Sequence, residues 1–380
     1  MEYVKLEEIC TIVSGGTPSR SKPNYWNNGN IPWIKIKDMK SKYIDSAEEF
    51  ITEEGLNNSS TKMLKRGTIL YSIFATLGEV GILKIDACTN QAIAGLSLKE
   101  DSNILKEYLY YYLKSKKKDV NNLGRGVAQN NINLSLLRKF KIPVIPLCQQ
   151  KKIIEVLDNV SSTINNYERE LALLDELVKA RFVEMFGDPV TNDMLCNTDV
   201  LKDICTKIGS GSTPRGGKES YIDEGISLIR SMNVHNAYFE YKDLAHITLD
   251  QAEKLNNVVV EHDDLLFNIT GASVARCCVV PSDVLPARVN QHVCILRCRE
   301  KINPIFLQGL LVNENYQGKL LQIAKSGATR EAINKQQLES LEIMIPPLEL
   351  QNQFASFVQE IDKSRLLNNH SLLLLKSITF

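Results

Sequence analysis

The feature that most constrains this chain is an internal repeat. Three segments of the first half recur in the same order in the second half, displaced by about 200 residues. The matched segments are 6–18 with 201–214, 89–96 with 289–296, and 132–150 with 333–351. Three colinear matches at a nearly constant displacement indicate that both halves descend from one ancestral unit. A period this long excludes a solenoid of short repeats.

Each half shows the same order of predicted elements. Short β-rich runs come first and are bounded by Gly, Pro and Asn, which predicts one sheet in each half. The runs are IPWIKI, TILYSIF and VGILKI in the first half, and ISLIRS, DLLFNIT and RCCVVP in the second. Helical segments follow at 105–118 and 304–325, and each ends in a loop that contains Gly.

A long helix is predicted at the end of each half. From Gln149 onward, apolar residues recur in steps of four and three until Gly187, which predicts a helix of roughly 38 residues, about 57 Å long. A second pattern starts after Pro347 and is interrupted by Arg365 and Asn368. One interpretation is that each helix packs on its own domain. The narrow, regular stripe instead favours pairing of the two helices.

The predicted fold class is therefore α+β. Two homologous mixed α/β domains are separated by two long antiparallel coiled-coil helices, in a pseudo-two-fold internal repeat. The helix-pairing residues that we predict are Ile153, Leu157, Val160, Ile164, Leu171, Leu174, Val178, Phe354, Val358, Ile361, Leu372 and Leu375.

Composition places the protein among folded cytoplasmic proteins. Hydrophobic residues make up 43% of the chain, yet no run of 18 apolar residues occurs, and the start MEYVKLEEIC does not resemble a signal peptide. The nine cysteines form no CxxC pair, so we expect reduced thiols. Cys294 and Cys298 with His292 suggest a zinc site, but their segment alternates like a strand, so we predict no metal.

Catalytic motifs are incomplete in this sequence. The loop GSGSTPRGGKES lacks the glycine and the Ser or Thr that a phosphate-binding loop requires. The segment that begins at Asn303-Pro304 lacks the second proline of an amine-methylating loop. All five histidines lie in the second half, so the two repeats share no His-based site. We therefore predict no catalytic residue and no cofactor in this chain.

Amide-bearing and basic residues recur in the loops of both halves. The net charge is zero, but residues 1–147 carry 21 basic and 15 acidic side chains. Arg, Asn and Gln suit base edges, and Lys, Ser and Thr suit phosphates, although a solvated surface or a turn would also explain single residues. The predicted DNA contacts are Thr17, Arg20, Lys22, Lys35, Lys37, Arg125, Gln129, Asn131, Thr213, Arg215, Lys218, Arg230, Asn233, Arg276 and Arg330.

The combination of these motifs resembles a known family. A β-rich start with ICTIVSGGTPSR, a segment IPVIPLCQQKKIIEVLD, a long helix that ends in VKARFVEMFGDP, and a repeat of the whole resemble the specificity subunit of type I restriction-modification enzymes. The resemblance implies target-recognition domains at 1–147 and 188–348, with spacer helices at 148–187 and 349–380. Each domain would read one half of a split DNA site. The short second helix departs from the family pattern.

The resemblance also implies partners. These are double-stranded DNA, two modification subunits that carry S-adenosylmethionine and methylate adenine, and, in the restriction form, ATP-driven translocating nuclease subunits. The helices would set the spacing of the half-sites and dock the modification subunits. No membrane is involved. Two alternatives are a coiled-coil scaffold with peptide- or carbohydrate-binding lobes, and a fragment of a fused methyltransferase-nuclease.

Overall fold

A computed structural model of the chain describes residues 2–124, 131–214, 216–325 and 331–379. Its contacts divide the chain into two compact units. The first unit contains residues 1–168 and 371–380, and the second contains residues 169–370. Each unit therefore contains one α/β domain and segments of both long helices.

The described part of the first unit holds three small sheets. A five-stranded sheet has the order β2-β9-β6-β7-β4, a three-stranded sheet has the order β5-β3-β8, and β1 pairs with β10. The strands are β1 Glu2–Lys5, β2 Cys10–Ser14, β3 Ile31–Ile34, β4 Tyr43–Ile44, β5 Glu49–Ile51, β6 Ile69–Ser72, β7 Val80–Leu83, β8 Cys88–Thr89, β9 Ile93–Leu98 and β10 Lys141–Val144. The helices are α1 Leu6–Ile9, α2 Glu53–Asn57, α3 Lys106–Ser115, α4 Lys117–Gly124, α5 Leu134–Arg138 and α6 Leu147–Phe186.

The second unit repeats the main sheets of the first and differs at their edges. Its sheets have the orders β12-β21-β18-β19, β16-β13-β20-β17, β11-β22 and β14-β15. The strands are β11 Asn197–Val200, β12 Cys205–Ser210, β13 Ile226–Ile229, β14 Val234–His235, β15 Tyr238–Phe239, β16 Ala245–Ile247, β17 Val259–Val260, β18 Leu265–Asn268, β19 Cys277–Val279, β20 Ala287–Val289, β21 Val293–Cys298 and β22 Glu342–Ile345. The helices are α7 Leu201–Ile204, α8 Leu249–Glu253, α9 Pro304–Val312, α10 Glu314–Lys325, α11 Lys335–Glu339 and α12 Leu348–Thr379.

The six β-rich runs predicted from the sequence all contain strands. They form β3, β6 and β7 in the first unit and β13, β18 and β19 in the second. The prediction of one sheet in each half is wrong, because β3 and β13 pair with other strands in separate sheets. The segment with Cys294 and Cys298 is strand β21, as its alternation predicts. Burial raises the pKa of the Cys294 thiol to about 12, which keeps this thiol neutral. Within the described residues, no three His, Cys, Asp or Glu side chains are grouped as metal ligands.

The predicted helical segment 304–325 is two helices rather than one. Asn313 leaves the helical backbone conformation, with φ −58° and ψ 137°, and ends α9. Its side-chain oxygen accepts hydrogen bonds from the backbone N–H groups of Asn315 (3.0 Å) and Tyr316 (3.3 Å). An Asn in this position caps the next helix, so the chain restarts as α10 instead of continuing. The corresponding segment of the first unit likewise divides into α3 and α4 at Lys116.

A buried glutamine attaches the start of each long helix to its own domain. Gln150 accepts a hydrogen bond from Leu105 N at 2.8 Å and donates to Asn103 O and Ile145 O. In the second unit, Gln351 accepts from Asn303 N at 2.8 Å and donates to Lys301 O and Pro346 O. Both side chains are completely buried. The repeated sequence therefore encodes the same attachment twice.

The two long helices pair antiparallel. Within the second unit, Arg365 Nη2 lies 2.6 Å from Asp175 Oδ1, and Asn368 Nδ2 donates to Glu170 Oε2 at 3.3 Å. Residues with higher numbers on α12 thus lie beside residues with lower numbers on α6, which is the antiparallel order. Within the first unit, Lys376 Nζ lies 2.7 Å from Glu168 Oε1. The polar seam positions Arg365 and Asn368 are therefore engaged in contacts between the helices.

The predicted pairing residues differ in burial. Ile164 and Leu372 are buried, whereas Val178, Phe354 and Val358 belong to or pack on the domain core of the second unit. Ile153 is 38% exposed, and its neighbour Ile154 packs on the first core instead. At this point of the helix, Ile154 faces the domain core, and Ile153 therefore faces solvent. Half-buried positions complete the set: Leu157, Val160, Leu171, Leu174, Ile361 and Leu375.

Candidate nucleic-acid interface

Two loops meet at one end of the β2–β9 strand pair in the first unit. Gly15 N donates to Ile93 O at 3.0 Å, and the Thr17 hydroxyl donates to the Gln91 side-chain oxygen. A Cβ atom on Gly15 would lie 2.1 Å from Asn90 O, so only glycine allows this close approach. The sequence motif with Gly15 and Thr17 thus brings two loops together.

The second unit contains the corresponding loop pair with the same Thr–Gln contact, and its glycine donates to a different backbone position. The Thr213 hydroxyl donates to the Gln291 side-chain oxygen, and Gly211 N donates to Asn290 O at 3.1 Å. A Cβ atom on Gly211 would lie 1.8 Å from Val289 O. The repeated motifs therefore form one structural frame in each unit, and we name this frame the loop frame. It consists of Gly15, Thr17 and Gln91 in the first unit, and of Gly211, Thr213 and Gln291 in the second.

One carboxylate in the first unit holds two of the basic side chains predicted to contact DNA. Arg20 and Lys35 both form ion pairs with Glu49, and the Arg20 guanidinium carbon lies 3.6 Å from the Trp26 ring centroid. Burial raises the pKa of the Glu49 carboxyl, but hydrogen bonds from Lys35 and Arg20 outweigh it and hold that pKa below its usual value. Glu49 therefore stays ionised and holds both cations.

Two further predicted lysines have local partners. Lys37 pairs with Glu48, and this hydrogen bond raises the pKa of the Lys37 amine. Lys22 Nζ donates to the Tyr25 hydroxyl at 3.0 Å. Asn131 forms a backbone bridge with Phe74. The predicted residues Arg125 and Gln129 lie outside the described residues.

An open recess lies beside the loop frame of the second unit. Its volume is about 590 Å³, and hydroxyl, imidazole and guanidinium groups line it. These groups belong to His235, Thr270, Arg276 and His292, among others. Arg276 Nη1 lies 3.4 Å from His235 Nδ1, and the His235 ring stacks on Tyr238 with a centroid distance of 4.6 Å. The predicted residue Arg276 therefore lies in a polar concave surface.

The structure corrects the expectation for Asn233. Its side chain is completely buried, and its amide nitrogen donates to Glu240 O at 2.9 Å and to Lys242 O at 3.3 Å. Its amide oxygen accepts from Arg230 N at 3.1 Å. Asn233 holds a loop together and presents no group to a base edge. Its neighbour Arg230 donates to Asp243 O through Nη2. Of the remaining predicted contacts, Arg215, Arg330 and the side chain of Lys218 lie outside the described part of the chain.

Sequence reasoning overlooked several side chains at these surfaces. Gln91 and Gln291 hold the loop frames, and Trp26 supports Arg20. The repeat could have identified the two glutamines, because TNQAIAGL and VNQHVCIL both contain an Asn-Gln pair. His235 and His292 carried no such signal, since only the second half contains histidine.

Two α/β domains with like loop frames, basic side chains and unlike loop surfaces define a two-domain DNA-recognition protein. The chain belongs to the family of type I restriction modification DNA specificity domains, because the family model matches residues 1–175 and 197–376. It is a non-catalytic specificity subunit of a type I restriction-modification system with two recognition domains. No helix within the described ranges is long and apolar enough to cross a membrane.

Curated relatives include specificity subunits from bacteria and archaea. The EcoR124I/EcoR124II specificity subunit of Escherichia coli is 34% identical over 188 residues, which cover 48% of this chain and 46% of that relative. The MjaIX specificity subunit of Methanocaldococcus jannaschii is 25% identical over 396 residues, which cover 98% of this chain and 89% of the relative. The first match thus spans about half of the relative, and the second spans most of it.

Solved structures share the fold. The type I restriction-modification S subunit of M. genitalium is 14% identical with a TM-score of 0.59, and the alignment covers 100% of this chain and 93% of that one. A structure described under complex assembly and conformational transition of the type I R-M system is 17% identical with a TM-score of 0.57, and the alignment covers 100% and 95%. At these identities the likeness concerns the fold alone.

Proposed function

We propose that each recognition domain reads one half of a bipartite DNA site within a type I restriction-modification complex. The observation that carries this proposal is the presence of two family domains in one chain, with the same loop frame and different side chains around it. Because the two loop frames share the Thr–Gln contact, they hold corresponding loops in place on each domain. Unlike side chains predict two different half-sites, since base edges are distinguished by hydrogen bonds and methyl contacts.

The recognition lobes in this proposal are residues 1–147 and 188–348. The helices at 148–187 and 349–380 set the spacing between half-sites and dock two modification subunits. The S-adenosylmethionine that methylates adenine belongs to those subunits, and this chain supplies no cofactor. Restriction subunits join in the cleaving form of the complex. We place the complex in the cytoplasm, where it meets the DNA.

The test is the pattern of methylated adenines in a host that carries this chain and its modification subunit. The expected result is methylation at one split sequence with two unlike halves and a constant spacer. A host that carries the modification subunit alone is the control and should lack that pattern. Methylation with no split motif, or none above the control, would overturn the proposal.

A further inference from the structure

Backbone hydrogen bonds show which loop positions of the two units correspond. In the first unit, Ile73 N donates to Ala92 O at 2.8 Å, and Ile132 N donates to Ile73 O at 2.9 Å. In the second unit, Ile269 N donates to His292 O at 3.0 Å, and Ile333 N donates to Ile269 O at 2.9 Å. Ala92 thus corresponds to His292. The next residue after each Ile gives a second pair, Phe74 with Thr270.

A third pair of positions follows from the neighbouring hairpin. Ser72 N donates to Glu79 O at 2.9 Å in the first unit, and Asn268 N donates to Arg276 O at 2.8 Å in the second. Glu79 therefore corresponds to Arg276. The backbone hydrogen bonds at all three pairs correspond, so the side chains at these positions can be compared directly. One unit carries Phe, Glu and Ala where the other carries Thr, Arg and His.

The side chains of the second unit form a directed chain of hydrogen bonds. The Gln291 oxygen accepts from the Thr213 hydroxyl, so the Gln291 amide nitrogen, 3.2 Å from His292 Nε2, donates to that ring nitrogen. The other ring nitrogen, Nδ1, then carries the proton and donates to Thr270 Oγ1 at 2.6 Å. The Thr270 hydroxyl hydrogen is left to point at a ligand in the recess.

Arg276 adds further donors to the same recess. Its Nη1 faces His235 Nδ1, and a guanidinium carries five N–H groups in total. A recess that presents a hydroxyl donor and guanidinium donors suits a base edge with two acceptors. In the major groove, guanine alone presents two acceptors, N7 and O6.

The corresponding surface of the first unit has a different chemistry. Phe74 is 41% exposed, and Ala92 offers only a methyl group. Glu79 is paired with Lys117, with Nζ at 2.5 Å from Oε1, so its charge is already balanced. An apolar pair of side chains suits the methyl group of thymine.

We infer that these positions determine specificity: Thr270 and Arg276, with His292 as the residue that orients Thr270, read a guanine in one half-site, and Phe74 with Ala92 contacts a thymine methyl in the other. The inference rests on the proposed function. It goes further by assigning the base class and the residues for each half-site.

The experiment selects bound duplexes from a randomised DNA library with the complex of this chain and its modification subunit. Thr270→Val removes the hydroxyl and keeps the side-chain shape, and Thr270→Ser restores a hydroxyl. Arg276→Gln removes the guanidinium, and Arg299→Gln is the matched control because Arg299 is an exposed arginine outside the recess. Phe74→Ser tests the other half-site.

We expect Thr270→Val and Arg276→Gln each to lower the preference for guanine at one position of one half-site by about 5- to 150-fold. Thr270→Ser and Arg299→Gln should enrich the wild-type motif, and Phe74→Ser should lower the preference for thymine in the other half-site alone. A wild-type complex that enriches no split motif would contradict the proposed function itself. A wild-type split motif that all the variants also enrich would overturn only the residue assignment, as would loss of preference equally in both halves.

Discussion

A single carboxylate controls the available positive charge beside the loop frame of the first unit. Glu49 lies against both Arg20 and Lys35, which were predicted to contact DNA. A phosphate that approaches these cations must compete with that carboxylate. The Lys35 side chain is only 20% exposed, so this pair is less screened by solvent than a pair at an open surface.

Glu49→Gln should therefore strengthen binding of the complex to DNA of any sequence. The substitution removes one negative charge and lets both cations approach phosphates. The slope of log K against log salt should become steeper by about 0.9 for each additional phosphate that the complex neutralises. Titrations of a duplex without the split site, at several salt concentrations, measure this slope.

Glu100→Gln is the control for this prediction, because it removes the same charge from an exposed residue that lies outside the cluster of Arg20, Lys35 and Glu49. The interpretation fails when both variants change the slope equally, since the effect would then come from net charge alone.

At the scale of single residues, the sequence shows which side chains could contact DNA but not whether those side chains point toward solvent. Asn233 follows a predicted strand and suits a base edge, but its amide is used inside the domain. A loop has no periodicity that shows which side chain points inward, so burial there depends on distant carbonyl groups. Ile153 shows the opposite error, since a heptad pattern placed on the pairing seam a residue that the structure leaves exposed.

Elements were predicted more accurately because their patterns extend over many residues. The first long helix was expected at 148–187, and it spans Leu147–Phe186. The β-rich runs located three strands in each unit, β3, β6 and β7 in the first and β13, β18 and β19 in the second. The division of 304–325 into two helices was overlooked, because the cap formed by Asn313 is a local feature without effect on the apolar pattern.

The close approach of the two loops at the end of the strand pair β12–β21 leads to a prediction about stability. Gly211→Ala would place a Cβ atom 1.8 Å from the Val289 carbonyl oxygen, and that oxygen belongs to backbone that cannot rotate away. We expect the free energy of unfolding of the second unit to fall by about 2–3 kcal/mol. Urea denaturation followed by circular dichroism measures the loss.

Gly209→Ala provides a matched control two residues earlier in the chain, on β12. Its Cβ atom would meet no heavy atom within 4 Å, so the substitution should be neutral or stabilise by about 0.5 kcal/mol through the reduced freedom of the unfolded chain. Equal losses for the two alanines would show that the loop contact does not limit stability, and that any side chain added in this segment is harmful.

At the scale of the whole molecule, the antiparallel helices connect sequence length to DNA spacing in the proposed function. The contacts Asp175 with Arg365 and Glu170 with Asn368 define a facing stretch of both helices. One heptad inserted after Leu171 and one after Leu366 would lengthen both helices between these contacts. The two insertions keep the pairing register on both sides, because a heptad is the repeat of the seam.

Each inserted heptad adds about 10.5 Å of helix, at 1.5 Å per residue. This length corresponds to roughly 3 base pairs of 3.4 Å each. The preferred spacer between half-sites should therefore lengthen by up to about 3 base pairs, while the half-sites themselves stay the same, because the recognition loops are untouched. A heptad in α6 alone disrupts the facing contacts and should weaken selection of any split site. If the doubly extended chain selects the original spacer, the helices do not set the spacing, and the distance between half-sites must be fixed by the modification subunits.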